Sequence, residues 1–557
     1  MSAPARRPGL LTLTGSVAGL TLVSRVLGFV RWIVQATAVG AGTVAGAYAT
    51  ANQIPNVLYE VVVGGALAAT VVPLLASAVG AGRRAEAERT ASGLLGLVLV
   101  ILVPLSLLLV ALATPLAGLL PASQGVDPDL QRRLVADFLR MFALQVPLYG
   151  VGVVLTGVLQ AHHHFTWPAL TPVLSSLVVM ATYALYGHMS AGAPDGAVPT
   201  AALQVLGWGT TAGVAALSLP LLWPVRRLGL RLHPTLRLGG RQTRRVLRLG
   251  GAGLETLLAQ QASVVVVLAL ARAGGQTGTV AVYQYTQAIY VLPYAVLAVP
   301  VATVLYPRLA AAFEAGTHKA APGAGPAVDR AAAPPATARA LTASSTALVT
   351  AVAVAGAGML LAASAGAERF FTLLAPVSGM GAALAAMAPG LVGYALIYQV
   401  TRVLFASDHA REAARATMLG WLTVAGASAL AVRLAAPAGG DGAATLIGLG
   451  IGQSTGMGVA GIGLALVLAR RLGAGVLRPT GRVLAFGAPV AMAAGLASRT
   501  LSARVPSTVG AVGAAIVGAA LVAAMALAAI HVADRRLLGS LRRHSTTDPT
   551  SPPGESR

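Results

Sequence analysis

Apolar stretches of roughly twenty residues or more recur along this 557-residue chain from one end to the other. Wound as an α-helix, about twenty apolar residues match the hydrocarbon core of a bilayer. Inside lipid a backbone must satisfy its own hydrogen bonds, which leaves helices and closed barrels as spanning folds. A barrel needs short segments of alternating polarity, and these are absent. Composition agrees: 56% of residues are hydrophobic and 10% are charged, against about 25% charged in soluble domains. Mean hydropathy is +0.76. Abundant alanine and glycine suit helices that pack closely in lipid. The fold class expected is an all-α polytopic membrane protein.

Fourteen spans are expected, at roughly 10–39, 43–79, 91–120, 132–160, 166–189, 198–225, 249–272, 278–306, 339–364, 380–406, 413–435, 443–469, 480–502 and 507–533. The first begins after Arg6 and Arg7. It reads as a span rather than a secretory signal, because it is long, carries Arg25 and Arg31, and lacks a convincing cleavage site. The second contains Pro55, Gly64 and Gly65 and should bend or break, as helices bordering transporter cavities do.

The net charge of +22 could signal nucleic acid, but in a membrane chain basic residues mark cytoplasmic loops. With the N-terminus inside, 29 of the 39 basic residues fall on the inner side and 7 on the outer. Both termini are therefore expected in the cytoplasm, with no nucleic-acid partner. Cysteine is absent, which rules out disulfides and thiolate metal sites.

Residues 314–338, rich in Ala, Pro and Gly, read as a flexible cytoplasmic connection. The tail from about Ser545 reads as disordered. Ala68, Pro73 and Ala76 match Ala302, Pro307 and Ala310 at a constant offset of 234. These segments end the second and eighth spans, which suggests parallel six-helix halves. The expected organisation is 1–232, 233–478, an added helix pair at 479–534, and a tail at 535–557.

Arg25 and Arg31 lie inside the first span, where a charge costs about 2.5–3.5 kcal/mol on insertion scales. Six helical residues separate them by about 9 Å of rise and about 120° of rotation, so they share no face of a straight helix. They could border one wide aqueous cavity at different depths. Guanidinium is permanently charged and its fork matches phosphate oxygens, so one reading is a site for phosphate or pyrophosphate. The other is that Arg31 snorkels or pairs structurally. Asn52, Asn56 and Tyr59, with Gln53 and Glu60 nearby, make a polar face on the second span. Glu60 either neutralises a cavity arginine or pairs between helices. Glu255, Gln260, Gln261, Gln284, Tyr285, Thr286 and Gln287 either line the same cavity or bond helix to helix. His162, His163 and His164 read as a loop, since three adjacent histidines cannot all face one metal from a regular helix. No phosphate loop, zinc motif or nucleophile–base set stands out.

Ser24 to Arg31 (SRVLGFVR), Gly40-Ala-Gly42, Ile54-Pro-Asn56 and Gly64-Gly-Ala-Leu67 through Pro73 resemble, in order, the MurJ/MviN family. These are the lipid II flippases of the MOP transporter superfamily. Gly157 to Phe165 and Pro168 to Pro172 are similar to that family too, and the stretch from Arg402 to Arg415 is a weaker match. The resemblance implies fourteen helices in two six-helix bundles plus an added pair, and a central cavity opened alternately to either side. The cargo it implies is a polyprenyl-pyrophosphate-linked disaccharide-pentapeptide, carried without covalent chemistry, cofactor or bound metal. It leaves open a coupling cation. Cell-wall synthesis or division proteins are the candidate protein partners. Arg25 and Arg31 match the two first-helix arginines of the family's cationic cavity. The substrate-contacting set expected is Arg25, Arg31, Asn52, Asn56, Tyr59, Glu60, Glu255, Gln284 and Gln287. The family carries an acid where Gly46 stands, a base where Tyr59 stands and an arginine near Ala288, so this cavity is less cationic than the family pattern. Two other functions fit parts of the sequence: a cation-coupled multidrug exporter of the same superfamily, and a non-transporting scaffold of envelope synthesis.

Overall fold

A computed structural model describes residues 10–61, 68–194, 197–236, 254–318 and 336–534. Every expected span falls on a helix or a helix pair. In order these are α1 (Leu10–Ala38), α2a (Thr43–Tyr59), α2b (Ala68–Gly80), α3 (Arg84–Ala111), α4a (Pro128–Phe142), α4b (Gln145–Ala161), α5 (Thr166–Met189) and α6 (Thr200–Ser218). They continue with α7 (Leu254–Gly274), α8a (Thr279–Pro293), α8b (Val299–His318), α9 (Ala336–Thr372), α10a (Met380–Met387) and α10b (Gly390–Ala406). The last four are α11 (Ala410–Ala435), α12 (Gly442–Leu472), α13 (Ala488–Arg504) and α14 (Thr508–Ala533). Among the described residues eleven helical runs are long and apolar enough to cross a membrane, and twelve if α10a and α10b, bent by 48°, form one span. That count is consistent with fourteen. Among the described residues there is no β-strand, only an isolated bridge between Gln124 and Gln276.

Local chemistry explains several boundaries. Asp127 caps α4a by accepting from the Asp129 amide at 3.0 Å, with Pro128 in the first turn. There proline's missing N–H costs nothing. Ser507 caps α14 by accepting from the Gly510 amide. The second span is interrupted, as expected. Pro55 lies inside α2a, π-helical geometry begins at residues 60–61, and Gly64 and Gly65 lie outside the described residues. The eighth span is interrupted in the same way, by a π-helical turn over Tyr294–Ala298. The expected linker is shorter than its composition suggested: α8b runs on to His318 and α9 starts at Ala336. Alanine, a strong helix former, extends both helices into it. The centre of that linker and the tail fall outside the described residues.

The chain forms two compact units. The first comprises 1–285, 371–377 and 438–442, and the second the remainder. In the first unit α1 packs along α5, α5 against α6, α2a against α4a, and α4b against both α2b and α3. In the second, Leu309 and Phe313 of α8b share a core with Val400 and Leu404 of α10b and Leu464 and Leu468 of α12. The C-terminal pair seats on α9, where Ala347, Ala351 and Val354 meet Val483, Ala526 and Ile530. Gly358 and Gly366 of α9 let α13 and α14 approach: a β-carbon at Gly366 would lie 2.4 Å from that of Ala515.

Each unit exposes apolar side chains that water would not tolerate over such lengths. Val100, Leu107 and Leu108 of α3, and Val509, Ile516 and Leu521 of α14, have more than half their surface uncovered. Faces of this kind are satisfied by acyl chains.

Candidate functional site

The first unit carries the charge that the sequence made conspicuous. Helix α1 runs unbroken through Gly28, so Arg25 and Arg31 keep their separation of about 120° around it. Both are partly buried. The Arg31 guanidinium lies 5.6 Å from the Trp32 ring and within Coulombic reach of the Tyr48, Tyr149 and Tyr183 hydroxyls. Among the described residues it makes no ion pair, and its Nε is buried without a hydrogen-bond partner.

One turn further along, Gln35 stands on the same face, since residues four apart on a helix are neighbours. Gln35 is buried. Its Oε1 accepts from the Tyr183 hydroxyl at 3.1 Å, while its Nε2 makes no well-formed hydrogen bond and has the Tyr285 hydroxyl as a weak neighbour. The Tyr183 and Tyr48 hydroxyls lie 2.9 Å apart, and Tyr48 is 3.0 Å from Thr210 Oγ1. These hydroxyls are thus occupied with one another, and the charged Arg31 Nε is left over. A buried donor without an acceptor costs about 1–3 kcal/mol. A chain that keeps a charged one buried presents a place for a negatively polarised group.

Asn56 and Tyr59 of the polar face on α2a come together around Tyr149 of α4b. The Tyr149 hydroxyl donates to Asn56 Oδ1 at 3.3 Å, and the Tyr59 and Tyr149 rings lie 4.6 Å apart. Asn52 and Glu60 are partly buried beside them on the chain, and Glu60 makes no ion pair among the described residues. Gln284 does bond helix to helix: its Nε2 donates to the Ala49 carbonyl at 3.2 Å. Glu255 is exposed in the first turn of α7, at the opposite end of that helix from its contact with Thr50. Gln287 belongs to the second unit. The structure therefore assembles Arg31, Asn56 and Tyr59 around one set of tyrosines. It gives Gln284 a packing contact and leaves Glu255 apart.

Several members of this cluster were missed in the sequence. Gln35 carried a usable signal, being one turn from Arg31 in an apolar run. Tyr48, Tyr149, Tyr183 and Thr210 carried none, because single hydroxyls scattered over four spans show no pattern. Arg272 looked like an outer-side charge. It is 1% exposed, donating from Nε to the Pro121 carbonyl at 2.7 Å and from Nη1 to Thr50 Oγ1 at 3.2 Å. Gly46 has a steric explanation. A β-carbon there would sit 2.0 Å from the Thr277 carbonyl oxygen, so this backbone has no room for an acid at position 46. His162 to His164 follow the end of α4b, with His163 in a left-handed turn (φ 60°). They form a loop, and no metal-binding group of three occurs among the described residues.

The sequence model of a family described as Lipid II flippase MurJ matches residues 35–504. A probable lipid II flippase MurJ of Rhizobium tropici is 29% identical over 312 residues, covering 55% of this chain and 56% of that protein. A lipid II flippase MurJ of Burkholderia cenocepacia is 27% identical over 310 residues, covering 55% of this chain and 58% of that protein. The matched stretch thus spans little more than half the length of these relatives. In three dimensions the chain is similar to a lipid II flippase MurJ in an inward closed conformation. The TM-score is 0.69 at 16% identity, over 94% of this chain and 99% of that one. It is also similar to an inward-facing MATE multidrug resistance transporter of the MOP superfamily, with a TM-score of 0.62 at 16% identity, over 82% and 98%. At such identities the two structures speak for the fold.

Proposed function

The chain belongs to the lipid II flippase MurJ family, and from that premise we propose that it carries a lipid-linked peptidoglycan precursor from the inner to the outer leaflet of a bacterial cytoplasmic membrane. The cargo is a polyprenyl-pyrophosphate-linked disaccharide-pentapeptide, moved by alternating access without covalent chemistry. The working parts are six-helix bundles at 1–232 and 233–478, with the pair at 479–534 added, and both termini face the cytoplasm. Arg25 and Arg31 meet the pyrophosphate. Asn52, Asn56, Tyr59 and Glu60 shape the wall beside it.

The observation that carries this reading is the buried Nε of Arg31, a charged donor with no hydrogen-bond partner among the described residues, with the Gln35 amide one turn along the same helix. Cation and amide together suit a diphosphate, whose oxygens accept from several donors at once. An exporter of cationic drugs would instead need a negative centre; position 46 has no room for one, which leaves Glu60 as the carboxylate beside this cluster. Membrane potential would draw cavity cations inward, at about 2.3 kcal/mol per charge per 100 mV. That would return the empty carrier.

The test is complementation of a strain depleted of its own flippase. The wild-type chain should restore growth, and Arg25→Ala, Arg31→Ala and the double variant should fail although present in the membrane. Full rescue by the double variant would overturn the arginine assignment. Failure of the wild type with unimpaired membrane insertion would overturn the substrate.

A further inference from the structure

A second basic site lies in the first unit, away from α1. Residues where α3 begins and where the chain leaves α6 enclose a cavity of about 620 Å³. Its wall carries Arg84, Arg226, Arg231 and His233 over apolar Leu222 and Val225. Among the described residues no acid lines it. The nearby carboxylates are engaged: Glu88 Oε1 accepts from the Arg231 amide at 3.2 Å, and Glu86 pairs with Arg83 at 2.7 Å. Arg84 donates to the Gly229 carbonyl, which ties the start of α3 to the far wall. The His233 amide donates to Ser92 Oγ at 3.2 Å and fixes the adjoining strand of chain. Arg226 and Arg231 are exposed and make no ion pair among the described residues.

Beside the cavity stands an aromatic pair, Trp167 and Trp223, with ring centroids 5.1 Å apart. Arg227 stacks 3.6 Å over the Trp223 ring, which is half exposed. Tryptophan with one face uncovered is the side chain that settles at headgroup depth in a bilayer. The cavity thus combines a cationic wall, an apolar floor and a marker of the membrane interface. Basic pockets of this composition at the cytoplasmic ends of spanning helices recognise phosphate headgroups.

We propose that this cavity is a binding site for a phosphate ester, with Arg226 and Arg231 as its guanidinium clamp and Arg84 as the residue that positions its wall. The apolar floor and the tryptophan pair favour the phosphodiester of an anionic phospholipid over a soluble phosphate. The site is independent of the flippase reading, since none of its residues belongs to the α1 cluster.

The test uses the full chain in nanodiscs of phosphatidylcholine, with or without phosphatidylglycerol, read by native mass spectrometry. From mixed discs the wild type should retain phosphatidylglycerol. The Arg226→Gln/Arg231→Gln variant should retain at least about tenfold less, which is about 1.4 kcal/mol. Arg132→Gln/Arg133→Gln removes the same charge elsewhere and should retain it like the wild type. Equal loss in that control would reduce the effect to net charge and overturn the site, as would undiminished retention by the first variant in the absence of a phosphate response. In phosphatidylcholine discs, inorganic phosphate distinguishes the source. A melting shift in wild type but not in the Arg226/Arg231 variant, without lipid retention, assigns the cavity to a soluble phosphate. Neither retention nor a shift would end the proposal. Matching elution of all variants on size exclusion guards against misfolding.

Discussion

At the scale of single residues, the decisive feature is a positive charge whose neighbours are neutral. The polar groups reaching Arg31 are hydroxyls and an amide, and the hydroxyls of Tyr48, Tyr183 and Thr210 are already paired with one another. This arrangement makes a signed prediction. Gln35→Glu places a carboxylate one turn from Arg31 and supplies the acceptor that the guanidinium lacks. The variant should melt at the same temperature as the wild type or higher, yet transport at least about tenfold less, a change of about 1.4 kcal/mol. Melting by tryptophan fluorescence and a lipid II translocation assay read the two sides separately. Unchanged transport with raised stability would show that Arg31 holds no anion. Arg31 was legible in the sequence because a charge in an apolar run is conspicuous. Gln35 was not singled out, although it stands one turn from Arg31 in the same apolar run. Gly46 shows the limit from the other side. Its departure from the family pattern was visible, but its cause, the Thr277 carbonyl, lies 231 residues along the chain.

At the scale of elements, breaks in helices matter as much as the helices. The second span turns π-helical at residues 60–61, and the eighth over Tyr294–Ala298. Glu60 and Tyr294 are separated by 234 residues, the same offset that relates Ala68, Pro73 and Ala76 to Ala302, Pro307 and Ala310. A shared interruption supports the internal repeat better than alanine-rich identity does, because π-helical turns are rare and tend to mark functional sites. The C-terminal pair makes a separate prediction. It rests on α9 through small residues, as close helix contacts in lipid require. Gly366→Val forces side-chain carbon where Ala515 already stands, and overpacking of this kind costs about 1–3 kcal/mol. Melting followed by size exclusion should fall by several degrees. An unchanged midpoint would mean that α14 does not rest on α9 at that point.

At the scale of the whole molecule, the claim most open to direct measurement is sidedness. The chain has no cysteine, so single cysteines can be introduced without background. In intact cells a membrane-impermeant maleimide should label Ala191→Cys, between α5 and α6, and leave Ala81→Cys, between α2b and α3, unlabelled until the membrane is opened. The reverse pattern would invert the topology, and with it the direction in which the arginine-rich ends face. Labelling of both in intact cells would mean that an even number of crossings separates them, not the three expected. The expected orientation rests in part on the same basic residues that line the cavity of Arg84, Arg226 and Arg231.

The sequence alone determined the class of molecule, the helical stretches on which the expected spans fall, the proline in the second span and the first-helix arginines. Each of these is a local property: apolar length against bilayer thickness, a proline or glycine within a run, a charge where none should be. Only the tertiary structure decided that Tyr183 would meet Gln35 one turn from Arg31 and that Tyr149 would join Asn56 to Tyr59. It alone buried Arg272 against Thr50 and closed position 46 to any side chain. Those contacts join residues mostly tens to hundreds apart, and what decides them is how helices press together, which no stretch of chain carries by itself.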